Sequence, residues 1–163
     1  MLDDQQIVAV FNDCFRATFA VELSGGASEP LYTPAADGQP AKLAYRENFA
    51  ASALHEAAHW CLAGETRRQQ VDLGLDYIPP PRSPSQQLAF QHAEERTQAL
   101  ESVFAEAAGV KFTVSTDNLD WSDAEFEDRV LARRKDLRSW MQSPAGERAA
   151  IFYKALRDAC DDR

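Results

Sequence analysis

Residues Ala53–Cys61 have the sequence Ala-Leu-His-Glu-Ala-Ala-His-Trp-Cys, which contains the pattern His-Glu-x-x-His. Residues four apart on an α-helix share one face, so the imidazoles of His55 and His59 can approach a single point. Two imidazoles at this spacing suit a first-row divalent metal, with zinc and iron both compatible. Because two of the 3 histidines occupy this motif, the pattern indicates a metal site on a helix rather than two unrelated surface histidines.

Length and composition favour one domain spanning residues 1–163. Hydrophobic residues make up 45% of the chain and charged residues 26%, as in ordinary globular proteins. The net charge of −9 argues against non-specific binding to nucleic acids or membranes. Cys14, Cys61 and Cys160 are far apart and form no disulfide pattern. With no targeting segment at the start, we expect a cytoplasmic protein with reduced thiols.

The N-terminal region predicts one helix followed by a small β element. Apolar residues between residues 3 and 20 recur at helical spacing, and Ser24-Gly25-Gly26 is expected to end the helix and open a loop. Short strands are expected near Leu31–Thr33 and Lys42–Tyr45, with Asp37-Gly38 as the hairpin turn. The prolines of this region should keep both strands short and at a sheet edge.

The helix that carries the motif is expected over residues 48–63, with Asn48 as N-cap and Gly64 after its end. Its mostly apolar composition predicts burial. The Pro79-Pro80-Pro81 run makes residues 76–82 non-helical. Ser83, Pro84 and Gln86 form a helix start, and this second long helix should reach Ala108.

The remaining elements complete the prediction of a helix-rich α+β single domain with a short β element beside a central metal-site helix. Lys111–Val114 is expected to be a short strand. Ser122 with Glu125 predicts a capping box, followed by a helix to about Met141. The last helix should start at Ser143-Pro144 and end near Cys160.

A third metal ligand is expected from the helix over residues 84–108, because two histidines do not complete a site. Glu94 and Glu101 lie on a stripe that also contains phenylalanines, so this stripe should face the core. A carboxylate there needs a partner, which a metal or an imidazole N–H can supply. Glu95 falls on the face of Gln98, Ser102 and Glu106, which is expected to be solvated. Helical spacing leaves Glu94 and Glu101 as alternatives, one as ligand and the other as hydrogen-bond acceptor for an imidazole.

Other conspicuous residues have simpler interpretations. His92 is expected at the surface. Arg67-Arg68 and Arg133-Arg134-Lys135 are more typical of solvated helix faces than of partner-binding patches. Tyr77 and Trp60 could line a pocket, although aromatic residues beside a buried helix more often belong to the core.

The chain resembles the elongation factor P hydroxylase family, bacterial enzymes that complete the lysine modification of that translation factor. The resemblance extends from about residue 25 to 160. The stretches that carry it are Glu29–Tyr32, Ala51–Cys61, Ala63-Gly64, Arg67-Arg68, Gln98–Glu101, Ala107–Gly109, Val114-Ser115 and Asp117–Leu119.

This resemblance implies a non-heme iron oxygenase that uses Fe(II) and O₂, without the common 2-oxoglutarate-dependent fold. The implied substrate is elongation factor P whose lysine already carries a β-lysyl group. The implied ligands are His55, His59 and Glu94, which resolves the choice between the two glutamates. Gln98 and Glu101 are then the candidates for orienting these ligands, and Glu56 for holding the substrate.

Two other functions fit parts of the pattern. A zinc metallopeptidase would use the same three ligands with Glu56 as general base, and a metal-stabilised interaction module would catalyse nothing. The resemblance favours the hydroxylase. The chain departs from the family at Asp76-Tyr77 and Pro80-Pro81, where a Trp-Tyr pair and an Asp-Gly turn are usual, which affects the rim of the expected pocket.

Overall fold

A computed structural model describes residues 1–163. It confirms the α+β class, with many helices and one small sheet. None of its helices combines the length and apolar character needed to cross a membrane. In chain order the elements are α1 (Asp4–Phe19), β1 (Val21–Ala27), β2 (Leu31–Thr33), β3 (Ala41–Arg46), α2 (Ala50–Leu62), α3 (Glu65–Arg68), a 3-10 helix (Val71–Gly74), α4 (Pro84–Ala108), α5 (Phe126–Ala132), α6 (Arg134–Trp140), a second 3-10 helix (Pro144–Gly146) and α7 (Glu147–Asp161).

Helix α2 lies at the centre of the molecule, between the sheet and the helices α1, α4 and α7. Ala53, Ala57 and Ala58 are fully buried, and their small side chains allow close approach by neighbouring helices. Trp60 packs against aromatic rings of α1, including Phe11 at 5.3 Å between ring centroids. Its N-cap is Phe49 rather than the expected Asn48, and Phe49 forms no side-chain cap.

The sheet has the strand order β1-β3-β2, with β1 parallel and β2 antiparallel to β3. Asp37 and Gly38 adopt positive φ angles at the predicted turn of the β2–β3 hairpin. β2 lies at an edge as predicted, but the prediction was wrong for β3, which is the central strand. The prediction failed because it did not include β1.

β1 corrects the expectation that Ser24-Gly25-Gly26 opens a loop. Helix α1 ends at Phe19, with Ala20 as its C-cap in a left-handed conformation, and β1 begins at the next residue. Asn12 of α1 hydrogen-bonds both the N–H and the C=O of Leu23. A Cβ atom on Gly25 would lie 2.5 Å from the Tyr45 ring, so this glycine permits close packing inside the sheet rather than a turn.

Helix α4 follows the prediction at both ends: Ser83 and Gln86 form the capping box, and Gly109 adopts the left-handed C-cap conformation. The segment after α4 differs from the prediction, because Lys111–Val114 forms no strand. The capping box predicted at Ser122 does not form, and α5 begins only at Phe126. The helix expected to reach about Met141 is divided at Arg133 into α5 and α6, and α6 ends at Trp140. Helix α7 begins at Glu147, after the 3-10 turn at Pro144.

Candidate metal centre

Helices α2 and α4 bring His55, His59 and Glu94 together, with potential ligand atoms all within 4.8 Å of one another. Nε2 of His59 lies 3.2 Å from Oε1 of Glu94, and Nε2 of His55 lies 3.5 Å from Oε2. The histidines are one helical turn apart on the face of α2 that packs against α4. The predicted stripe of α4 faces the core, and Glu94 and Glu101 are both only 8% exposed.

Glu101 occupies the other side of His55. Nδ1 of His55 and Oε2 of Glu101 are 2.7 Å apart, so Nδ1–H donates to the carboxylate, and Nε2, on the side of Glu94, is the nitrogen that a metal would bind. This arrangement of carboxylate and imidazole is typical of metal-ligating histidines, because it fixes both the tautomer and the ring orientation. The structure therefore separates the two glutamates: Glu94 is within the cluster, and Glu101 contacts only the far nitrogen of His55.

Gln98 fixes the position of the Glu94 carboxylate through a hydrogen bond. Its amide nitrogen donates to Oε2 of Glu94 at 3.1 Å and to the carbonyl of Ser115 at 2.8 Å. Its amide oxygen accepts from the backbone N–H of Ser115 at 3.0 Å. Gln98 is 2% exposed, which contradicts the solvated face expected for it. The segment after α4 covers this face, and its backbone supplies the partners of the buried amide.

The electrostatics of the cluster favour a bound cation. Burial alone would lower the pKa of His55, but Glu94 and Glu101 outweigh it and raise the pKa to about 10. Burial would raise the pKa of Glu94, whereas the two histidines and Gln98 lower it to about 2. Together with Glu56, three carboxylates face two imidazoles, so a divalent cation would offset their mutual repulsion. Two imidazoles and one carboxylate also form the donor set typical of ferrous oxygenases, and the residues present fit such an ion.

Glu56 is the carboxylate beside the cluster that has no partner. It makes no hydrogen bond or ion pair within the chain, although it is partly buried. Burial raises the pKa of Glu56, and the nearby histidines partly oppose this effect. A half-buried carboxylate without a partner is costly. Glu56 is therefore available to a cationic or hydrogen-bonding group that enters the site.

The structure shows a different role for Glu95 from the solvated one expected. It is 7% exposed and pairs with Arg129 of α5 and with Arg133. A buried carboxylate therefore attaches the segment after α4 to that helix. Arg134 pairs with Glu106, so the arginines of this run form contacts within the chain. His92 is exposed, as expected.

Arg148 supports α2 in a way that the sequence did not indicate. Its guanidinium donates to the carbonyls of Trp60, Cys61 and Ala63. It thereby caps the C-terminal end of the helix that carries both histidines, where negative partial charge accumulates. Burial lowers its pKa to about 10. Nothing in the amphipathic pattern of α7 distinguishes this arginine from its solvated neighbours.

Comparisons with known proteins cover nearly the whole chain. Residues 10–162 match the model of the family described as elongation factor P hydroxylase. The chain is also 37% identical over 153 residues to the elongation factor P lysine hydroxylase of Haemophilus influenzae, covering 93% of this chain and 86% of that protein. The matched span contains α2 and α4, and with them all residues of the candidate metal centre.

Proposed function

The chain belongs to the elongation factor P hydroxylase family, and we propose that it is an iron-dependent, O₂-using hydroxylase of the elongation factor P lysine that already carries a β-lysyl group. The observation that supports the iron centre best is the cluster of His55, His59 and Glu94, with ligand atoms within 4.8 Å. The curated relative supports the substrate protein through its name.

The three ligands would hold a ferrous ion, which supplies O₂ activation when it is bound. Glu101 would fix the orientation of His55 so that Nε2 can bind the ion, through its hydrogen bond to Nδ1. Gln98 keeps the Glu94 carboxylate in place through its amide nitrogen. Loss of a supporting contact of this kind typically lowers metal affinity or activity by about 10–100-fold.

Glu56 would bind the substrate. A β-lysyl group adds ammonium groups to the lysine that carries it, and Glu56 is the unpartnered carboxylate next to the cluster. A charge-assisted hydrogen bond from an ammonium group would compensate its burial and orient the side chain in the site. This role requires Glu56 to remain ionised and does not require it to transfer a proton.

The overall reaction needs two electrons besides O₂. Insertion of one oxygen atom into a C–H bond gives the alcohol, and two electrons with two protons reduce the second oxygen atom to water. A reductant must therefore be supplied, and 2-oxoglutarate is not the proposed source.

The proposal is tested by the intact mass of elongation factor P after coexpression with this protein. We expect the β-lysylated partner to gain one oxygen atom, and the unlysylated partner to react poorly. The His55→Ala variant is the matched control and should leave the mass unchanged. Cleavage fragments, or an unchanged partner in the presence of iron, O₂ and a reductant, would contradict the hydroxylase.

A further inference from the structure

The segment Leu75–Arg82 exposes several apolar side chains next to the candidate metal centre. Leu75, Tyr77 and Ile78 are 40%, 60% and 50% exposed, and the segment has no regular secondary structure. We call Tyr77, Ile78 and the neighbouring Asp117 the rim. Exposed apolar side chains grouped in this way are typical of contact surfaces for other proteins.

The rim is held in one conformation by Arg82, whose side chain is only 1% exposed. Its guanidinium donates to the Ile78 carbonyl at 2.7 Å and to the Asp117 carboxylate at 2.8 Å. It also stacks on Phe90, 3.9 Å from the ring centroid, and the Tyr77 hydroxyl donates to the same Asp117 carboxylate. A surface that is already ordered loses little conformational freedom when a partner binds.

The rim lies close to the candidate metal centre. Phe90 precedes Glu94 by four residues on the same face of α4, a rise of about 6 Å, and the Tyr77 ring is 6.5 Å from Phe90. Hydrogen bonds also connect the two regions, because Gln98 joins Glu94 to Ser115 and the Ser115 hydroxyl accepts from the Asp117 N–H. Tyr77 is therefore on the order of 10 Å from the Glu94 carboxylate.

The distance between Tyr77 and Glu94 matches the length of a lysine side chain that carries a β-lysyl group. An extended lysine side chain reaches about 6 Å from its own Cα, as bond lengths near 1.5 Å imply, and a β-lysyl group roughly doubles that reach. The backbone of a partner whose modified lysine enters the site therefore remains outside it, at the distance of the rim. The exposed carboxylates of Asp76 and Asp120 complement the positive charge of the extended side chain.

We propose that the rim is the docking surface for the part of elongation factor P that surrounds the modified lysine, with the Tyr77 ring as its main contact and Arg82 as the positioning residue that holds it. This inference rests on the proposed function. It also assigns a role to the segment in which this chain departs from the family pattern, Asp76-Tyr77 and Pro80-Pro81.

The test uses Tyr77→Ala, the conservative Tyr77→Phe, and Ile151→Ala as a matched control. Ile151 is another apolar residue, 41% exposed, but it lies on α7. Binding of β-lysylated elongation factor P to the metal-loaded protein is measured without O₂, and initial rates are then measured with O₂ and a reductant. Tyr77→Ala should weaken binding and raise KM by about tenfold, as expected for loss of a tyrosine contact, with kcat and metal content nearly unchanged. Tyr77→Phe keeps the ring and should retain wild-type affinity, as should Ile151→Ala.

The outcomes separate the two proposals. Wild-type affinity and KM in Tyr77→Ala would overturn the docking surface while leaving the hydroxylase intact. An equal loss in Ile151→Ala, or a loss of kcat and metal in Tyr77→Ala, would also overturn it, because the effect would then not be specific to docking. Binding that depends on Tyr77 but yields no oxygenated product would support the rim and contradict the proposed chemistry. A wild-type protein that neither binds nor oxygenates this partner would overturn both.

Discussion

Glu94 and Glu101 lie two helical turns apart on one stripe of α4, yet the structure gives them different partners. Glu94 faces the Nε2 atoms of both histidines, whereas Glu101 contacts Nδ1 of His55. The spacing of the sequence places both carboxylates in the core. It does not determine which of them meets the open side of the imidazoles, because that depends on how α2 is shifted along α4.

The first prediction follows from this difference. Glu94→Ala should purify folded but with little metal, because it removes one of three proposed ligands. Glu101→Ala should keep the ligand set and lose about 10–100-fold in metal affinity, since the orientation of His55 is no longer fixed. Metal content and affinity are measured beside His92→Ala, an exposed histidine on the same helix. Full metal content and activity in Glu94→Ala would instead favour Glu101 as the ligand.

The effect of replacing Glu56 distinguishes the proposed hydroxylase from a zinc peptidase. In a peptidase it would take a proton from the metal-bound water, so Glu56→Gln would abolish turnover and leave the metal in place. In the proposed enzyme it binds an ammonium group, so Glu56→Gln should keep its iron and some oxygenation, with KM raised more than kcat is lowered. Iron content and initial rates against partner concentration measure this. Normal iron with no turnover at saturating partner would support the peptidase mechanism.

At the level of elements, glutamines of α4 hold the irregular segment between α4 and α5. Gln87 donates to the carbonyl of Thr116 and Gln98 pairs with the backbone of Ser115. These contacts lie directly after Lys111–Val114, the stretch predicted to be a short strand, and they hold the chain there without a sheet. Both glutamines are buried, so their amides supply backbone partners where no sheet is available.

Gln98 and Gln87 form a matched pair for the next prediction. Gln87→Ala should speed hydrogen exchange around Thr116 without changing metal affinity, because Gln87 does not contact Glu94. Gln98→Ala should have the same effect on exchange around Ser115 and should also weaken metal binding, because it removes the contact to Glu94. Equal metal affinity in both variants would show that Gln98 does not support the ligand.

These elements also show how far the sequence determines the structure. Local patterns were sufficient where local contacts decide the outcome, as in the Ser83 capping box, the Asp37-Gly38 turn and the shared face of His55 and His59. They failed where a distant contact decides. Gly25 lies in a strand because Tyr45 packs over it, and Glu95 is buried because Arg129 and Arg133 cover it. Long-range pairing of this kind leaves no periodic pattern in the sequence.

Across the whole molecule, contacts from both termini converge on the two helices that carry the candidate metal centre. Arg148 of α7 caps the C-terminal end of α2, and the backbone N–H of Leu2 donates to the Ala108 carbonyl at the end of α4. The proposed ligands are also distant in sequence, with His59 and Glu94 on different helices. A bound ion would therefore join α2 to α4 and restrain most of the core.

Because the ion would join α2 to α4, we expect metal binding to stabilise the whole domain. An ion that binds the folded state and not the unfolded chain adds about 2.7 kcal/mol at a free concentration of 100 times its Kd. For a domain of this size, that corresponds to a rise in Tm of roughly 5–10 °C. We expect this rise on titrating metal-free protein with ferrous ion without O₂, or with zinc. It should disappear in His59→Ala, whose metal-free Tm gives its own baseline, and persist in His92→Ala. A similar rise in His59→Ala would mean that the ion stabilises the protein from another site, and the assignment of the three ligands would be wrong.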